Sequence, residues 1–365
     1  MKPRNRVSVI YLIFDAGPSE AVRARAFEVA YRTAGYRVKY FRLYAPWLVG
    51  LIALGERFRI LGSLKGLGYA LQRVVRSVKM LYALAIVGRY HAAVVLKWSS
   101  VGFLRRLRRH PTTKLLYDFD DAMWLDAFVG ERTFADLVGL ADCVSCDNAI
   151  LAAHARRYQD DVIVVEGPPQ VEQFVEYQRR KPPSSGETVS IGWVGSPYTL
   201  FYLYGVIEAL EVVGRRFANV ELVLLGTGFN SAMVPAFESM RVRRIPQYDQ
   251  SAMVRFVSTF DIGLFPLFDN EMSLGRGALK ARIYMSAGVP VVASRLGENV
   301  RLIEDGETGL LASTRDEWID AMSRLIENRA LRQQIGARAQ EVMRERCRVA
   351  TSFRQLEERF LSRLG

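Results

Sequence analysis

The stretch that decides the fold runs from residue 275 to residue 312 and reads GRGALKARIYMSAGVPVVASRLGENVRLIEDGETGLLA. Gly275 and Gly277 open a turn in which the backbone can approach a ligand that a Cβ atom would exclude. The residues that follow predict a short helix that ends at Gly288, where a left-handed C-cap is favoured. Residues 289–293 are wholly apolar, as is typical of a strand buried on both faces of a parallel sheet.

Three cations lie at the start of this predicted helix, namely Arg276, Lys280 and Arg282. The N-terminus of a helix already favours an anion, because its free N–H groups and its dipole present positive charge. The glycine turn, the helix N-terminus and the cations together predict a phosphate-binding site.

The stretch resembles the nucleotide-binding segment of retaining nucleotide-sugar glycosyltransferases of the GT-B fold, the group called family four or group 1. The similarity lies in YMSAGVPVVAS and GENVRLIEDGETGLL. In that family the segment holds the diphosphate and the ribose of the sugar donor. The family's usual pair of glutamates would fall on Gly275 and Ile283, and neither is acidic. A branch of the family carries instead glycine, a cation, glycine and lysine, which matches Gly275, Arg276, Gly277 and Lys280.

The resemblance implies an α/β chain with two Rossmann-like domains facing a cleft. We expect an acceptor-binding domain at 1–180, a nucleotide-sugar-binding domain at 181–345, and a last helix at 346–365 that crosses back to the first domain. A length of 365 residues suits two domains that each bury a core. The sequence RRKPPSSGET at 179–188 is typical of a linker between them.

The resemblance also implies a reaction of the hexosyltransferase type. A sugar would move from a nucleoside diphosphate sugar to a glycan or lipid-linked acceptor with retention of anomeric configuration. Arg276 and Lys280 would stabilise the charge that grows on the leaving diphosphate. No cofactor and no metal are expected beyond the donor. The missing carboxylates at Gly275 and Ile283 leave two alternatives open, a non-catalytic membrane-associated scaffold of the same fold and a nucleotide-sugar epimerase.

Two glycine turns and one loop of the second half are expected to contact the donor as well. The first turn, G-S-P-x-T, follows an apolar strand and precedes a helix, an arrangement that favours phosphate. In the branch of the family named above, it offers N–H groups and hydroxyls to the phosphates. The family seats the base at the turn after the next strand, and a later loop flanks it. These candidates are Gly195, Ser196, Thr199, Gly226, Gly228 and Pro246.

The first half opens with a strand, a glycine turn and a helix, which is typical of a Rossmann-type sheet. The family places a glycine-bearing loop here, facing the cleft, so Gly17 and Arg23 are candidate site residues. The alternative is a structural turn with solvated arginines. Asn148, which follows a later predicted strand, is a further candidate by resemblance.

Three carboxylates, Asp118, Asp120 and Asp121, follow a predicted strand in the sequence YDFDDAMW. The carboxyl edge of an open α/β sheet is where ligands bind. Carboxylates this close repel each other unless a cation or a hydroxyl is nearby. They are candidates for a general base on the acceptor hydroxyl or for hydrogen bonds to sugar hydroxyls. A helix N-cap with solvated neighbours is the alternative, and the related branch carries a similar D-x-D-D-A segment.

The charge balance favours an anionic partner, since 50 Lys+Arg face 38 Asp+Glu and the formal net charge is +12. Region 44–90 contains Glu56 as its single acid and alternates apolar clusters with cations at helical spacing. This pattern predicts contact with an anionic membrane surface, and a helix layer over the first sheet is the alternative. No nucleic-acid motif is present. The residues expected at the lipid interface are Trp47, Leu48, Leu51 and Ile52, with Arg57 and Arg59.

Three features of the sequence bear on location. No run approaches the ~18 apolar residues that span a bilayer, and the basic start lacks the cleavage site of a signal peptide. Three cysteines indicate a reducing compartment. Cys143 and Cys146 form a lone C-x-x-C, either a redox pair or the end of a strand. We expect a cytoplasmic protein, peripheral on the inner face of the membrane.

Overall fold

The computed structural model describes residues 7–14, 20–48, 62–97, 100–180, 188–229 and 234–364. The chain forms two compact units, which are unit 1 (Met1–Gly167 and Val349–Gly365) and unit 2 (Pro168–Arg348). The division lies upstream of the linker expected at 179–188. Some of the residues named above lie outside the described ranges: Gly17, Leu51, Ile52, Arg57, Arg59 and most of that linker.

Unit 1 contains six parallel strands, β1 (Ser8–Ile13), β2 (Arg37–Arg42), β3 (Ala92–Leu96), β4 (Lys114–Phe119), β5 (Cys143–Cys146) and β6 (Val162–Val164). They lie in the order β2-β1-β3-β4-β5-β6. β1 and β3 are buried along their whole length, which explains why SVIYLI and AAVVL are almost continuously apolar.

Unit 2 contains a second sheet of six parallel strands, β7 (Val189–Val194), β8 (Val220–Leu225), β9 (Arg241–Ile245), β10 (Ile262–Phe265), β11 (Val291–Ser294) and β12 (Leu310–Ala312). Their order is β12-β11-β10-β7-β8-β9. The prediction of an α/β chain with two Rossmann-like sheets is therefore confirmed.

Helices cover both sheets. In chain order they are α1 (Glu28–Thr33), α2 (Gly62–Val87), α3 (Val101–Leu107), α4 (Gly130–Leu140), α5 (Ala149–Ala155), α6 (Val171–Arg180), α7 (Ile207–Arg216), α8 (Gln250–Val257), α9 (Glu271–Leu274), α10 (Leu279–Ser286), α11 (Glu298–Leu302), α12 (Arg315–Glu327), α13 (Arg329–Arg346) and α14 (Val349–Arg359). Shorter helical turns are a π-turn at Glu20–Ala24 and 3-10 turns at Arg25–Phe27, Met123–Leu125, Pro197–Val206 and Leu361–Leu364. Within the described ranges no helix is both long and apolar enough to span a bilayer.

The last helix, α14, belongs to the core of unit 1 although it follows unit 2 in sequence. The ring of Phe353 lies 4.9 Å from the ring of Tyr31, edge to face, and Leu356 is buried beside it. Aromatic pairs in this geometry add about 0.5–1.5 kcal/mol to the burial of their surface. The expected return of the C-terminal helix to the first unit is thus confirmed.

Two local expectations were wrong or incomplete. The segment after β7 was expected to enter a helix directly, but a 3-10 helix at Pro197–Val206 comes before α7. Leu48 was expected at a lipid interface, yet it is fully buried in unit 1. Leu48 lies in the short helical turn that follows β2, and this turn buries Leu48 while the neighbouring Trp47 stays exposed.

The C-x-x-C pair is structural. Cys143 and Cys146 are the first and last residues of β5, so their side chains point to opposite faces of the sheet. Both thiols are buried, and burial raises the pKa of each to about 12. A redox pair needs an accessible thiolate, so the strand-end interpretation holds.

Candidate functional site

The side chain of Lys280 lies at the carboxyl edge of the unit 2 sheet. Its Nζ atom is 4.3 Å from the ring centroid of Trp193 near the end of β7, and 5.8 Å from that of Phe265 at the end of β10. The chain leaves β7 for β8 on one side and returns in β10 on the other. Lys280 therefore lies at the topological switch point, where open α/β sheets bind ligands.

Lys280 has no carboxylate partner among the residues that the structure describes. Its polar neighbour is Oγ1 of Thr199, 3.4 Å from Nζ. Burial, and after it the positive charge of Arg276, hold the pKa of Lys280 well below its usual range. A bound anion would offset both effects, so the electrostatics of this position favour an anionic ligand.

Arg276 is fixed by an aromatic side chain from the 3-10 helix after β7. Its Nε atom donates a hydrogen bond of 3.1 Å to the hydroxyl of Tyr202, and its guanidinium lies 5.2 Å from the centroid of the same ring. Ser273 approaches this hydroxyl as well, at 3.3 Å. The loop that carries Arg276 is thereby tied to the segment that carries Thr199, and both cations are held near the same sheet edge.

The turn after β7 is held by hydrogen bonds within the turn and to the end of β8. The N–H of Gly195 donates to the carbonyl of Leu225 at 2.9 Å, and the N–H of Ser196 donates to Oγ1 of Thr199 at 3.1 Å. A Cβ atom on Gly195 would meet the Trp193 ring at 2.4 Å and Thr199 Oγ1 at 2.7 Å. The glycine is thus required for packing. The N–H groups of Gly195, Ser196 and Thr199, which were predicted to donate to phosphate, all have acceptors within the protein.

The turn after β8 needs both of its glycines. Gly226 has φ +91° and Gly228 has φ +68°, a region that favours glycine. A Cβ atom on Gly226 would lie 2.1 Å from the carbonyl oxygen of Gly195, and one on Gly228 would lie 2.7 Å from Pro197. The N–H of Gly228 donates to Pro246 at 3.0 Å. These predicted base-site residues therefore form one assembly with the turn after β7.

Tyr248 completes this assembly from the loop after β9. Its hydroxyl donates a hydrogen bond of 3.1 Å to the carbonyl of Gly195. Burial raises the pKa of Tyr248 to about 12, so the hydroxyl stays protonated and remains a donor. Tyr248 links the turn after β7 to the loop that begins at Pro246.

The start of the stretch 275–312 differs in part from what the sequence predicts. Gly275 is the buried C-cap of α9 with φ −78°, so its conformation does not demand glycine. Gly277 is partly buried beside it. Arg282, one of the three cations expected near a phosphate, is fully buried in α10 at 2% exposure. Arg276 and Lys280 are the two cations that the structure brings together, and Gly288 has the predicted left-handed φ of +65°.

In unit 1, Asp118 is buried and paired. Nε and Nη2 of Arg23 each donate a hydrogen bond of 2.6 Å to its two carboxylate oxygens, and Ser145 donates to it as well. Nη1 of Arg23 donates to Asp147 at 3.1 Å and to the carbonyl of Val165 at 2.9 Å. Burial alone would lower the pKa of Arg23, but Asp118 raises it far above the usual range. This geometry suits a structural pair better than a general base.

Asp120 and Asp121 share one cation that the sequence reasoning missed. The Nζ atom of Lys97 is 3.1 Å from Oδ1 of Asp120 and also contacts Oδ2 of Asp121. Burial would lower the pKa of Lys97, yet the two carboxylates raise it above the usual range. Lys97 follows β3 directly and has φ +54°, an uncommon conformation for lysine. Both aspartate side chains remain partly exposed, at 22% and 28%.

Asn148 caps a helix. Its Oδ1 atom accepts a hydrogen bond of 2.9 Å from the N–H of Leu151, and the residue is 2% exposed. The side chain fixes the start of α5. Among the described residues, no group of three or more His, Cys, Asp and Glu side chains is arranged to hold a metal ion.

The residues that sequence reasoning missed are Lys97, Asp147, Trp193, Tyr202 and Tyr248. Each of them lies near the carboxyl end of a parallel strand or in the segment that follows one. Position at the carboxyl edge of a sheet is therefore the sequence feature that could have identified them as site residues. Which of these residues contact each other depends on which strands are neighbours in the sheet, and no local sequence motif predicts the strand order.

Known proteins match part of this chain in sequence and nearly all of it in fold. Residues 189–328 match the family model described as "Glycosyl transferases group 1". A D-inositol 3-phosphate glycosyltransferase of a Nocardioides species is 33% identical over 105 residues, 28% of this chain and 22% of that protein. A phosphatidyl-myo-inositol mannosyltransferase of Mycobacterium leprae is 29% identical over 143 residues, 38% of this chain and 37% of that protein. The chain thus spans well under half of the curated relatives that it matches.

Solved structures match over nearly the whole chain. The crystal structure of Anabaena HepE in complex with UDP and glucose has a TM-score of 0.63 at 14% identity, covering 98% of this chain and 100% of that one. Sucrose-phosphate synthase from Thermosynechococcus elongatus has a TM-score of 0.66 at 15% identity, with the same coverage. At such identities the likeness shows the fold alone. The chain therefore has the two-unit α/β fold of the GT-B glycosyltransferases, and residues 189–328 of unit 2 match the group 1 glycosyl transferase family.

Proposed function

We propose that this protein is a glycosyltransferase that moves a sugar from a nucleoside diphosphate sugar to a glycan or lipid-linked acceptor, with retention of anomeric configuration. The observation that carries the proposal is the position of Lys280. It is a desolvated cation without a carboxylate neighbour in the described chain, at the switch point of a parallel sheet. The family match over residues 189–328 and the relatives named as glycosyltransferases support the same activity.

The chemistry that we assign to unit 2 is stabilisation of the leaving group. When the bond between the sugar and the diphosphate breaks, negative charge grows on the phosphate oxygen. Lys280 and Arg276 are fixed in place before the reaction by Trp193, Thr199 and Tyr202, so they need little reorganisation to stabilise that charge. Retention follows if the departing phosphate oxygen takes the proton of the acceptor hydroxyl on the same face of the sugar.

For the acceptor side we propose Asp120 and Asp121 rather than Asp118. Asp118 already uses both carboxylate oxygens on Arg23. Asp120 and Asp121 are partly exposed at the carboxyl edge of the unit 1 sheet, and their contacts with Lys97 orient them. Ionised carboxylates accept hydrogen bonds from hydroxyl groups, which is what orientation of a sugar or polyol acceptor requires.

We further propose that the protein works in the cytoplasm, peripheral on the inner face of the membrane, with region 44–90 as its contact. The support is the lack of acidic residues other than Glu56 in that region and the formal net charge of +12. Anionic headgroups attract such a basic segment.

The test is a donor screen without acceptor. UDP- and GDP-sugars are incubated with the protein, and slow hydrolysis is followed by release of the nucleoside diphosphate, with the anomer of the freed sugar read by NMR. We expect turnover of one donor with the anomeric configuration kept, and a loss of about 10²–10³-fold in Lys280→Met. The exposed Arg346→Met variant controls for loss of a positive charge elsewhere in unit 2.

Three outcomes would contradict the proposal. Unchanged hydrolysis in Lys280→Met would remove the assigned role of that cation. An epimerised nucleotide sugar in the absence of acceptor would identify an epimerase. Calorimetry that detects no binding of UDP, GDP or their sugars would identify a scaffold.

A further inference from the structure

The helix α2 carries apolar side chains on its outer face as well as on the face that packs against unit 1, where Ala83, Ile86 and Val87 are buried. Toward unit 1, Oε1 of the buried Gln72 accepts a hydrogen bond of 3.2 Å from the N–H of Ala45. Nζ of Lys79 donates to the carbonyls of Arg42 at 3.1 Å and Tyr44 at 2.8 Å. The inner face of α2 is thus also anchored by polar contacts to backbone groups at the end of β2 and directly after it.

The outer face of α2 carries a continuous apolar stripe. Its members recur every three or four residues and therefore lie on one side of the helix. Their exposed fractions range from 37% at Leu71 to 64% at Leu81. Surface helices of soluble proteins normally pack their apolar side on the core and keep the outer side polar, so an apolar outer face is unusual. The stripe consists of Leu67, Leu71, Val74, Val78, Leu81 and Tyr82.

The dimensions of the stripe fit a helix that lies in a membrane surface. From Leu67 to Tyr82 an α-helix extends about 22 Å and covers an arc of about 100°, at 1.5 Å and 100° per residue. An arc of that width is typical of helices that bury one face in the headgroup region. Exposed apolar surface of this extent on a soluble domain marks an interaction site.

Charge distinguishes between the surfaces that would cover such a stripe. Residues 57–117 contain no Asp or Glu, while Lys and Arg recur throughout. Arg73 is exposed on α2, and Arg106 and Arg109 are exposed on the neighbouring helix α3 and directly after it. A second copy of this chain would bring an equally basic surface against this one and be repelled. An anionic bilayer offers both the apolar interior and the opposite charge.

We infer that the outer face of α2 is the membrane-contact surface of the protein, which lies parallel to an anionic bilayer with its stripe in the headgroup region. This deepens the proposed function, because it rests on the membrane partner proposed for region 44–90 and assigns that contact to one helix face. The bonds from Gln72 and Lys79 orient the helix rigidly on unit 1, so the contact also fixes how unit 1 lies on the membrane. The carboxyl edge that carries Asp120 and Asp121 belongs to the same unit, which suits an acceptor that is held in a lipid layer.

The experiment measures partitioning of the full chain onto vesicles by flotation. Vesicles of phosphatidylcholine alone are compared with vesicles that contain 30 mol% phosphatidylglycerol, at low and at high salt. We expect binding to the anionic vesicles at least tenfold tighter than to the neutral ones, and weaker at high salt. Val78→Glu places a charge in the stripe and is expected to weaken partitioning at least tenfold.

The matched control is Val300→Glu, the same change at an exposed valine of α11 in unit 2. We expect it to partition like the wild type, and circular dichroism melting of both variants to match the wild type because both valines are exposed. Equal partitioning of Val78→Glu and the wild type would overturn the inference, as would absence of binding to anionic vesicles. A concentration-dependent dimer that Val78→Glu dissociates, without vesicle binding, would assign the stripe to a second copy.

This test is independent of glycosyl transfer, because it uses no nucleotide. A negative result in the vesicle experiment would not change the interpretation of the donor screen. Absence of donor turnover, in the same way, does not change the vesicle result. The two proposals therefore fail separately.

Discussion

Arg23 and Asp118 form a two-pronged ion pair in the interior of unit 1, with both hydrogen bonds at 2.6 Å. The side chains are 3% and 6% exposed. Asp118 lies in β4, and Arg23 lies in the π-turn after β1. The pair therefore fixes the segment that follows β1 on the middle of the sheet.

Asp118→Asn is expected to lower the free energy of unfolding of unit 1, and not only to reduce turnover. The substitution leaves the buried guanidinium of Arg23 with Asp147 as its remaining carboxylate partner. Loss of one member of a buried ion pair costs about 3–5 kcal/mol. Urea denaturation followed by far-UV circular dichroism measures this loss.

The control removes every charge of the buried cluster, in Arg23→Met with Asp118→Leu and Asp147→Asn. Replacement of a whole buried ionic cluster by uncharged side chains is often neutral or stabilising, so we expect this triple variant to be more stable than Asp118→Asn. If Asp118→Asn instead kept the stability of the wild type and lost only turnover, Asp118 would be a catalytic residue.

Lys280→Met is expected to raise the stability of the protein in a pH-dependent way. The pKa of Lys280 is lowered in the folded chain, and that of an unfolded lysine is about 10.4. Between these two values the unfolded chain holds a proton that the folded chain has lost, so the free energy of unfolding of the wild type rises with pH. The advantage of the variant is greatest below the lowered pKa and disappears as the pH approaches about 10.4.

The measurement is the difference in melting temperature between wild type and Lys280→Met from pH 6 to pH 10. Taking the difference cancels other groups that titrate in this range, such as the buried thiols. Arg346→Met is the control and should show no pH-dependent difference. A difference for Lys280→Met that grows with pH would contradict the assigned direction of the pKa shift.

Binding of a nucleoside diphosphate is expected to take up a proton. Burial and the charge of Arg276 lower the pKa of Lys280, and two phosphate charges would raise it. Affinity should therefore fall as the pH rises through the lowered pKa. Titration calorimetry of UDP from pH 7.5 to pH 10, at each pH in two buffers of different ionisation enthalpy, measures the uptake, because UDP itself is fully ionised in this range.

Lys280→Arg is the matched variant for this measurement. A guanidinium stays charged throughout the accessible pH range, so the variant should bind UDP without proton uptake. Uptake that persists in Lys280→Arg would place the titrating group elsewhere.

Asp121→Asn and Asp120→Asn are expected to separate transfer from hydrolysis. Both carboxylates belong to unit 1, whereas the cations that we assign to the donor belong to unit 2. Donor hydrolysis should stay within about twofold of the wild type, while transfer to an acceptor should fall by about 10²-fold or more if a carboxylate orients or deprotonates the hydroxyl. Equal losses in both reactions would contradict an acceptor role.

Much of the fold could be predicted from sequence, because its signals are local. The largely apolar run 189–194 and the apolar run 289–293 predict buried parallel strands. Gly288 predicts the end of a helix, and its φ is positive in the structure. The alternation of such runs with helices gives two Rossmann-like sheets. The 3-10 helix Pro197–Val206 was not predicted, since its composition is equally compatible with an α-helix.

The pairing of site residues could not be predicted for a physical reason. Arg23 and Asp118 are separated by 95 positions in the sequence, and they meet because β4 lies two strands from β1. Lys97 meets Asp120 and Asp121 because β3 and β4 are neighbours in the sheet. The apolar outer stripe of α2 could not be predicted either. Its sequence mixes apolar and basic residues, so periodicity shows that it is a helix without showing which face is inside.

Gly226→Ala is expected to lower both the stability of unit 2 and its affinity for the donor nucleotide. The loss should exceed the cost of left-handed backbone strain alone. Gly226 has φ +91°, and a Cβ atom there would lie 2.1 Å from the carbonyl oxygen of Gly195. Gly306 is the matched control, because it has a similar φ of +86° and no atom within 4 Å of its Cβ position. Gly306→Ala should cost about 1–2 kcal/mol from left-handed strain. Gly226→Ala should cost about 1–3 kcal/mol more, because the clash with backbone forces the two turns apart.

The two substitutions are compared by urea denaturation and by calorimetry with UDP. We expect Gly306→Ala to bind UDP like the wild type, since Gly306 lies in the turn before β12 and a Cβ atom there would meet no described atom within 4 Å. We expect Gly226→Ala to lose binding at a urea concentration at which it is still folded, because the displaced carbonyl of Gly195 releases Tyr248 and moves the turn that carries Thr199. Equal stability and equal UDP affinity of the two variants would show that the contact between the turns after β7 and β8 does not organise the site.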